Sequence, residues 1–404
     1  MKCRYGVSPW IHRFSAARRP DFPRLRGERT ADVVIVGGGL TGCAAAHACA
    51  AAGLKTVLVE AERIGHGSAG RSAGLLLPEP GPSFRDIVQA HGLRTAKRVF
   101  DAWRLASLDA SATLRRLRIP CHLAPLNTVI VASGDEKILH REFEARHEAG
   151  HSLSWLSPTQ VRTATNLDAA AGLRMREAFS LDPYRACLGL ASAARARKAS
   201  LHEQSAVTKV RFSRKDVQVS TEAGVISASH VVVTTGSATA EFGPLRRHFS
   251  RRESYLALTE PVPAASRRQM GQPGVTFSDT RAPRRRVCWT HDGRILVGGA
   301  DQAETPLRTR DAVLVQRTGQ LMYELLTMYP AISGLRPEYG WDLSYGETAD
   351  GLMYVGPHRN YPHHVFALGG ATDSVTGAFL AARMALRAVQ AASDKDDDAF
   401  GFTR

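Results

Sequence analysis

Residues 33–60 read VVIVGGGLTGCAAAHACAAAGLKTVLVE, and their order is strand, glycine turn, helix, strand, acid. The β-branched run Val33–Val36 predicts a buried strand, because such side chains pack well on a pleated surface. Gly37 then makes a tight turn, Gly39 lets backbone approach an anion, and Gly42 allows helix and strand to pack closely. The Ala-rich stretch beginning at Leu40 and Thr41 predicts a helix whose first N–H groups point at that anion. A second apolar run, Val57–Val59, ends on Glu60 and Ala61, where a carboxylate takes the hydroxyls of an unphosphorylated ribose. The stretch therefore predicts dinucleotide binding, with FAD and NAD open and NADP disfavoured.

The chain has 404 residues, more than one typical domain, and its 44% hydrophobic and 23% charged content is that of an ordinary globular protein. The formal charge of +15 would suit an anionic partner, but no recognition motif, aromatic platform or basic tail accompanies it, so no nucleic-acid partner is expected. Six cysteines at positions 3, 43, 49, 121, 187 and 288 show neither a CxxC pair nor metal-ligand spacing. They read as buried or free thiols, which fits a reducing, cytoplasmic setting without a protein-bound metal. Arg18 and Arg19 are followed by no apolar stretch of signal type, and no run of 18 apolar residues predicts a membrane span. Oligomeric state is left open.

After Glu60 and a turn-rich stretch, about 70 residues show helical spacing, as over 84–117, and it returns in Ala-rich form from Cys187 to Lys198. VTKVRFS, VQVSTEAGVIS and HVVVTTG are strand-like, and the last ends in Thr234, Thr235 and Gly236, small enough to leave room for a cofactor. Residues 250–345 carry further strands and one helix near Leu314–Met328. FALGG then enters a second glycine turn at Gly369–Gly370, and VTGAFLAARMALRAVQAA predicts a helix directed back at the cofactor. The fold class is thus α/β. A Rossmann-like cofactor domain comes from discontinuous segments, 31–83, 151–240 and 346–392. An α+β substrate domain with a mixed or antiparallel sheet comes from 84–150 and 241–345. Residues 1–30 form an arm and 393–404 an acidic, solvated tail.

In the ordered motifs VVIVGGGLTG, GSAGRSAG (Gly67–Gly74), LDPYRACLGLASAA (from Leu181), VVVTTG, DGRILVGGAD (from Asp292) and DGLMYVGP with FALGGATDSVTGAFLAARMA, the chain resembles the flavin-dependent amine and amino-acid oxidoreductases of the D-amino-acid oxidase and glycine oxidase type. The N- and C-terminal motifs are similar to the γ-glutamylputrescine-oxidase-like branch. The resemblance implies bound FAD, with adenosine on the Gly37–Glu60 unit and the backbone of Val207 near the adenine. It implies Arg71, Ser72, Ala73 and Gly74 near the pyrophosphate and flavin. Gly369 to Thr376, among them Gly370, Thr372, Asp373, Ser374, Val375 and Thr376, are implied near the ring, and Thr235 and Gly236 are taken as cofactor-binding.

Several positions depart from that family. Amino-acid oxidases of this type carry an arginine after a tryptophan to hold the substrate carboxylate; here Trp341 is followed by Asp342, with Tyr345 where the arginine would stand. That shifts the expectation from a free α-amino acid to an amine, whose cationic end Asp342 or Asp373 would receive. Tyr345, Asp373 and His291 are the catalytic candidates, and Tyr255, Trp289, Trp341, Asp342 and Tyr345 the substrate-lining ones. Arg71 stands where some relatives tether flavin through histidine, so the FAD is expected to be non-covalent, with Cys288 a remote alternative anchor. No lysine lies between Lys215 and Lys395 to assist oxygen reduction. The expected reaction is oxidation of a primary or secondary amine to an imine, with oxygen or a carrier as acceptor. The alternatives are an amino- or imino-acid dehydrogenase and a catalytically silent flavin-binding protein.

Overall fold

The computed structural model describes residues 2–272, 274–281, 284–370, 375–392 and 394–404. Its centre is the run that opens the chain's first motif. Strand Gly27–Val36 lies between Gly224–Gly236 and Thr56–Val59, all parallel, with Tyr361–Leu368 and Ser200–His202 continuing the parallel set outward. Tyr354–His358 adds an antiparallel edge, and the strands Val207–Phe212 and Val217–Thr221 form a hairpin on Gly224–Gly236. Val33, Val34 and Ile35 are wholly buried because both faces of this sheet are covered.

Helix Leu40–Ala51 covers one face and is itself buried nearly all round, packed between helices Pro183–Ala196 and Val375–Val389. Alanine and glycine make that approach possible, and the low polarity of the helix follows from having no solvent face. Three pieces far apart in sequence thus converge on one sheet, as the patterns of the two glycine turns predict.

The second, larger sheet runs in the order Arg4–Tyr5, Pro337–Glu347, Ser250–Thr259, Ile295–Ala303, Arg286–Trp289, Val275–Asp279, Ala124–Val131, Gly172–Ser180, Leu75–Leu76. It is mixed, with Ser154–Leu156 hydrogen bonded to Gly172–Ser180 off the main path. These last two strands and Leu75–Leu76 fall within ranges that the sequence grouped with the cofactor unit, yet they pair into the larger sheet.

Strand alternation gives this sheet two different faces. Leu256, Leu258, Cys288, Leu296, Tyr339, Trp341 and Leu343, with Leu75 and Leu76 of the same sheet, share a core with Leu40 and Val375 of the cofactor unit. Tyr255, Ala257, Val287, Ile295 and Val297 instead pack with Leu314, Leu321 and Leu325 of helix Arg310–Met328.

Both termini are built in. Trp10 and Phe22 of the arm are buried in the first core, and Ser8 Oγ donates to the Gly70 carbonyl. The C-terminal segment is a correction to the solvated tail: Phe400 is buried, Asp397 pairs with Arg387, and Arg404 donates to the carbonyls of Leu352 and Met353.

Candidate active site

The cofactor cradle is set by atoms that leave no room for side chains. A Cβ on Gly37, whose φ is +109°, would lie 2.8 Å from the Thr234 carbonyl oxygen, and one on Gly42 would overlap the Gly37 carbonyl. Gly39, the residue before the helix, has open space around it and no side chain caps that terminus. That combination of a closed floor, an open approach and unpaired N–H groups at Leu40 and Thr41 fits a pyrophosphate. Glu60 accepts from Gly38 N at 2.6 Å and from Glu62 N at 2.9 Å, which fixes its carboxylate at the end of strand Thr56–Val59. Ser205 N donates to the Glu60 carbonyl at 2.8 Å, so the chain leading to Val207 runs beside this acid. Thr234 supplies a clamp that its small size alone did not announce. Its hydroxyl lies 3.0 Å from the carbonyl oxygens of both Val36 and Gly37. Thr235 is tied to the Ser237 carbonyl at 2.8 Å, and Gly236, at φ +75°, is open.

The 67–74 loop forms a short helical turn at Ala69–Arg71, and its last glycine would collide with the Leu181 carbonyl if it carried a Cβ. Trp341 Nε1 donates to the Arg71 carbonyl at 2.7 Å and Trp10 Nε1 to the Ser72 carbonyl at 2.9 Å. Ala73 is buried behind them. The C-terminal turn joins here. Gly369 N donates to the Gly236 carbonyl at 2.8 Å, Gly370 has φ +121°, and Val375 and Thr376 are buried at the start of the last helix. The Thr376 hydroxyl exchanges hydrogen bonds with the backbone of Leu77, at 2.9 and 2.8 Å, so it locks that helix to the larger sheet. Thr372, Asp373 and Ser374 lie outside the described residues.

The side of the larger sheet that faces this cradle carries a polar group that sequence inspection missed. Asp301 accepts from Ser254 Oγ at 2.6 Å and from Tyr345 Oη at 2.9 Å. Burial raises the Asp301 pKa, while Ser254, Tyr345, Arg252 and Arg286 pull it down by less. Burial likewise raises the Tyr345 pKa, and Asp301 adds to the rise, so the phenol stays protonated. Arg286 shares this face with Cys288, and desolvation with the nearby Arg284 lowers its pKa to about 10 against the opposing pull of Glu79 and Asp301. Gly346, next along from Tyr345, would bring a Cβ to 3.4 Å from Ser237, so this end of the strand meets the C-terminal ends of the parallel strands. Ligands of open α/β sheets bind at such ends. The signal for Asp301 was present in GGAD of DGRILVGGAD, but a single aspartate after glycines is indistinguishable from a turn residue until its strand is paired.

Other candidates are placed elsewhere. Tyr255 Oη is buried against Glu253 at 2.8 Å and Thr305 at 3.1 Å on the face toward helix Arg310–Met328, where Trp289 also packs. Neither lines the cofactor side, because each is one residue out of phase with Leu256 and Cys288. Asp342 is 2% exposed and already paired with Arg310 and, at 3.4 Å, with Arg71, so it is not open to a substrate cation. His291 stacks on His122 at 4.0 Å in the turn beyond Leu258 and Tyr339. Six residues separate Tyr339 from Tyr345 on one strand, about 20 Å, so His291 and Tyr345 do not form one constellation. Burial pushes the Cys288 thiol up to about 12, which keeps it protonated and unreactive.

Comparison with known proteins identifies the family and the fold. The sequence profile of the DAO family, described as FAD dependent oxidoreductase, matches residues 32–387. The chain is 24% identical over 391 residues to the gamma-glutamylputrescine oxidoreductase of Escherichia coli (strain K12), covering 95% of this chain and 89% of that one. It is 23% identical over 358 residues to the glycine oxidase of Bacillus licheniformis, covering 84% and 87%. The crystal structure of glycine oxidase from Geobacillus kaustophilus superposes with a TM-score of 0.78 at 19% identity, covering 93% of this chain and 99% of that one.

Proposed function

The chain belongs to the DAO family of FAD-dependent oxidoreductases, and from that premise we propose that it oxidises the C–N bond of a primary or secondary amine to an imine. Bound FAD supplies the acceptor for the two electrons. The protein's own part is to place the C–H bond, exclude water and manage one proton. In this reading Gly37, Gly39, Leu40, Thr41 and Gly42 hold the pyrophosphate, Glu60 with Ala61 and Val207 the adenosine, and Arg71–Gly74 with Gly236 and Gly370 the ring end.

Asp301 is the observation that carries the substrate assignment. A carboxylate facing the cofactor side, oriented by Ser254 and Tyr345, is placed to receive the substrate ammonium and take its proton, leaving the neutral amine that oxidation requires. Tyr345 occupies the place of the arginine that amino-acid oxidases use for a carboxylate, which also favours an amine. One observation supports a second reading: Arg286 on the same face could hold a carboxylate, which would make the substrate an amino or imino acid. An anaerobic screen of amines and free amino acids for flavin bleaching separates the two. Bleaching by amines and not by amino acids is expected; the reverse overturns the amine assignment. The electron acceptor, oxygen or a carrier, is read from the rate of reoxidation in air. A cytoplasmic location belongs to the same proposal, supported by six free cysteines and, among the described residues, no helix long and apolar enough to cross a membrane.

A further inference from the structure

A cavity of about 830 Å³ lies between helices Phe84–His91 and Glu136–Glu148, far larger than an amino group and a few carbons need. Phe84, Val88, Ile130, Leu139 and Ala145 give it apolar walls. Three of its charges are closed on one another, and Arg85, Lys97 and Glu148 also line it. Arg146 pairs with Glu79 at 2.8 Å and approaches Glu142 at 3.9 Å, and Glu142 accepts from the N–H groups of Phe84 and Arg85. At the mouth Leu93 and Ile138 are each 59% exposed, an apolar rim that a ligand would cover.

None of Asp301, Ser254 or Tyr345 lines the cavity, and two stretches of chain lead from its wall toward them. Glu79 is two residues from Leu77, whose N–H reaches Thr376 at the start of the last helix. Arg284, also in the wall, donates to the Gly81 carbonyl at 3.0 Å. Arg286, two residues further, lies close enough to feel both Glu79 and Asp301.

We propose that this cavity is the chamber for the distal arm of the substrate, and that the substrate is an elongated amine whose far end is apolar. The proposal rests on the amine-oxidising reading. With the amine at Asp301, the arm runs past Arg286 and Glu79 into the space between the two helices.

The test uses the FAD-loaded protein and a series of n-alkylamines from ethylamine to decylamine, with anaerobic flavin bleaching as one readout. The matching n-alkyltrimethylammonium ions, which have no N–H to lose, give binding by calorimetry as the other. Each methylene placed in the chamber should tighten binding and raise kcat/KM roughly fourfold, levelling off once the chamber is full. Val88→Trp and Ala145→Trp, on partly exposed helix faces, should abolish that gain while leaving flavin content and ethylamine unchanged. Bleaching that is independent of chain length, or a gain that survives in both variants, overturns the proposal alone. Bleaching by no amine of any length overturns the reaction reading and the chamber's role with it.

Discussion

At single residues, one atom decides whether the cofactor turn can close. Gly42→Ala would drive a methyl group into the Gly37 carbonyl, so the turn must open. We expect FAD affinity to fall at least a hundredfold, read as flavin retained after desalting. Thr234→Val removes a hydroxyl shared by two carbonyls of the same turn while keeping its volume. A loss of about 1–2 kcal/mol of stability is expected in denaturant unfolding, since the acceptors stay buried without their donor. Asp301→Asn keeps the shape but turns one of the two oxygens that accept from Ser254 and Tyr345 into an N–H donor, and it cannot take a proton. Flavin content should be unchanged and the bleaching rate should drop about 100-fold or more; an unchanged rate removes Asp301 from the chemistry. Glycines 37, 39 and 42 and Glu60 were legible in the sequence because turn geometry and spacing are local. Asp301, Ser254 and Arg286 were not, because their convergence depends on the pairing of Ser250–Thr259 with Ile295–Ala303 and Pro337–Glu347.

At the scale of elements, alternation along a strand explains the misplaced candidates. Aromatic character marked Tyr255 and Trp289 as strand residues but carried no information on which face they occupy. One residue of phase sends both toward helix Arg310–Met328. The C-terminal segment departs from expectation for a related reason: its charge run suggested solvent, whereas isolated Phe400 and Arg404 do the anchoring. Arg404 lies 3.7 Å over the Tyr354 ring and holds Asp350 at 2.7 Å. Burial alone would raise the Asp350 pKa, but the hydrogen bonds and charge of Arg404 outweigh it and lower it to about 2. A carboxylate depressed in the folded state stabilises above its unfolded pKa and loses that contribution as pH falls toward 2. The pair should therefore add about 2 kcal/mol at pH 6 and progressively less below pH 4. In Arg404→Ala that segment of the stability–pH curve should flatten, which denaturant unfolding across this range would show.

At the scale of the whole molecule, two sheets meet along a core shared by Leu40, Leu75, Trp341 and Val375, and the crevice between them receives both glycine turns. The discontinuous parallel sheet was legible from motif order, since each glycine turn follows an apolar strand and precedes a helix. The division between the two sheets was less so: Gly172–Ser180 is apolar and short, and nothing local distinguishes a strand of one sheet from a strand of the other. In the proposed reading FAD spans this crevice, with adenosine at Gly37–Glu60 and its ring facing Asp301 and Tyr345. A crystal structure of the flavin-loaded protein tests it most directly. The account predicts ring density between the Gly369–Gly370 turn and the Ser254–Asp301–Tyr345 face; a crevice closed by side chains, or a ring on the far side of the larger sheet, would contradict it.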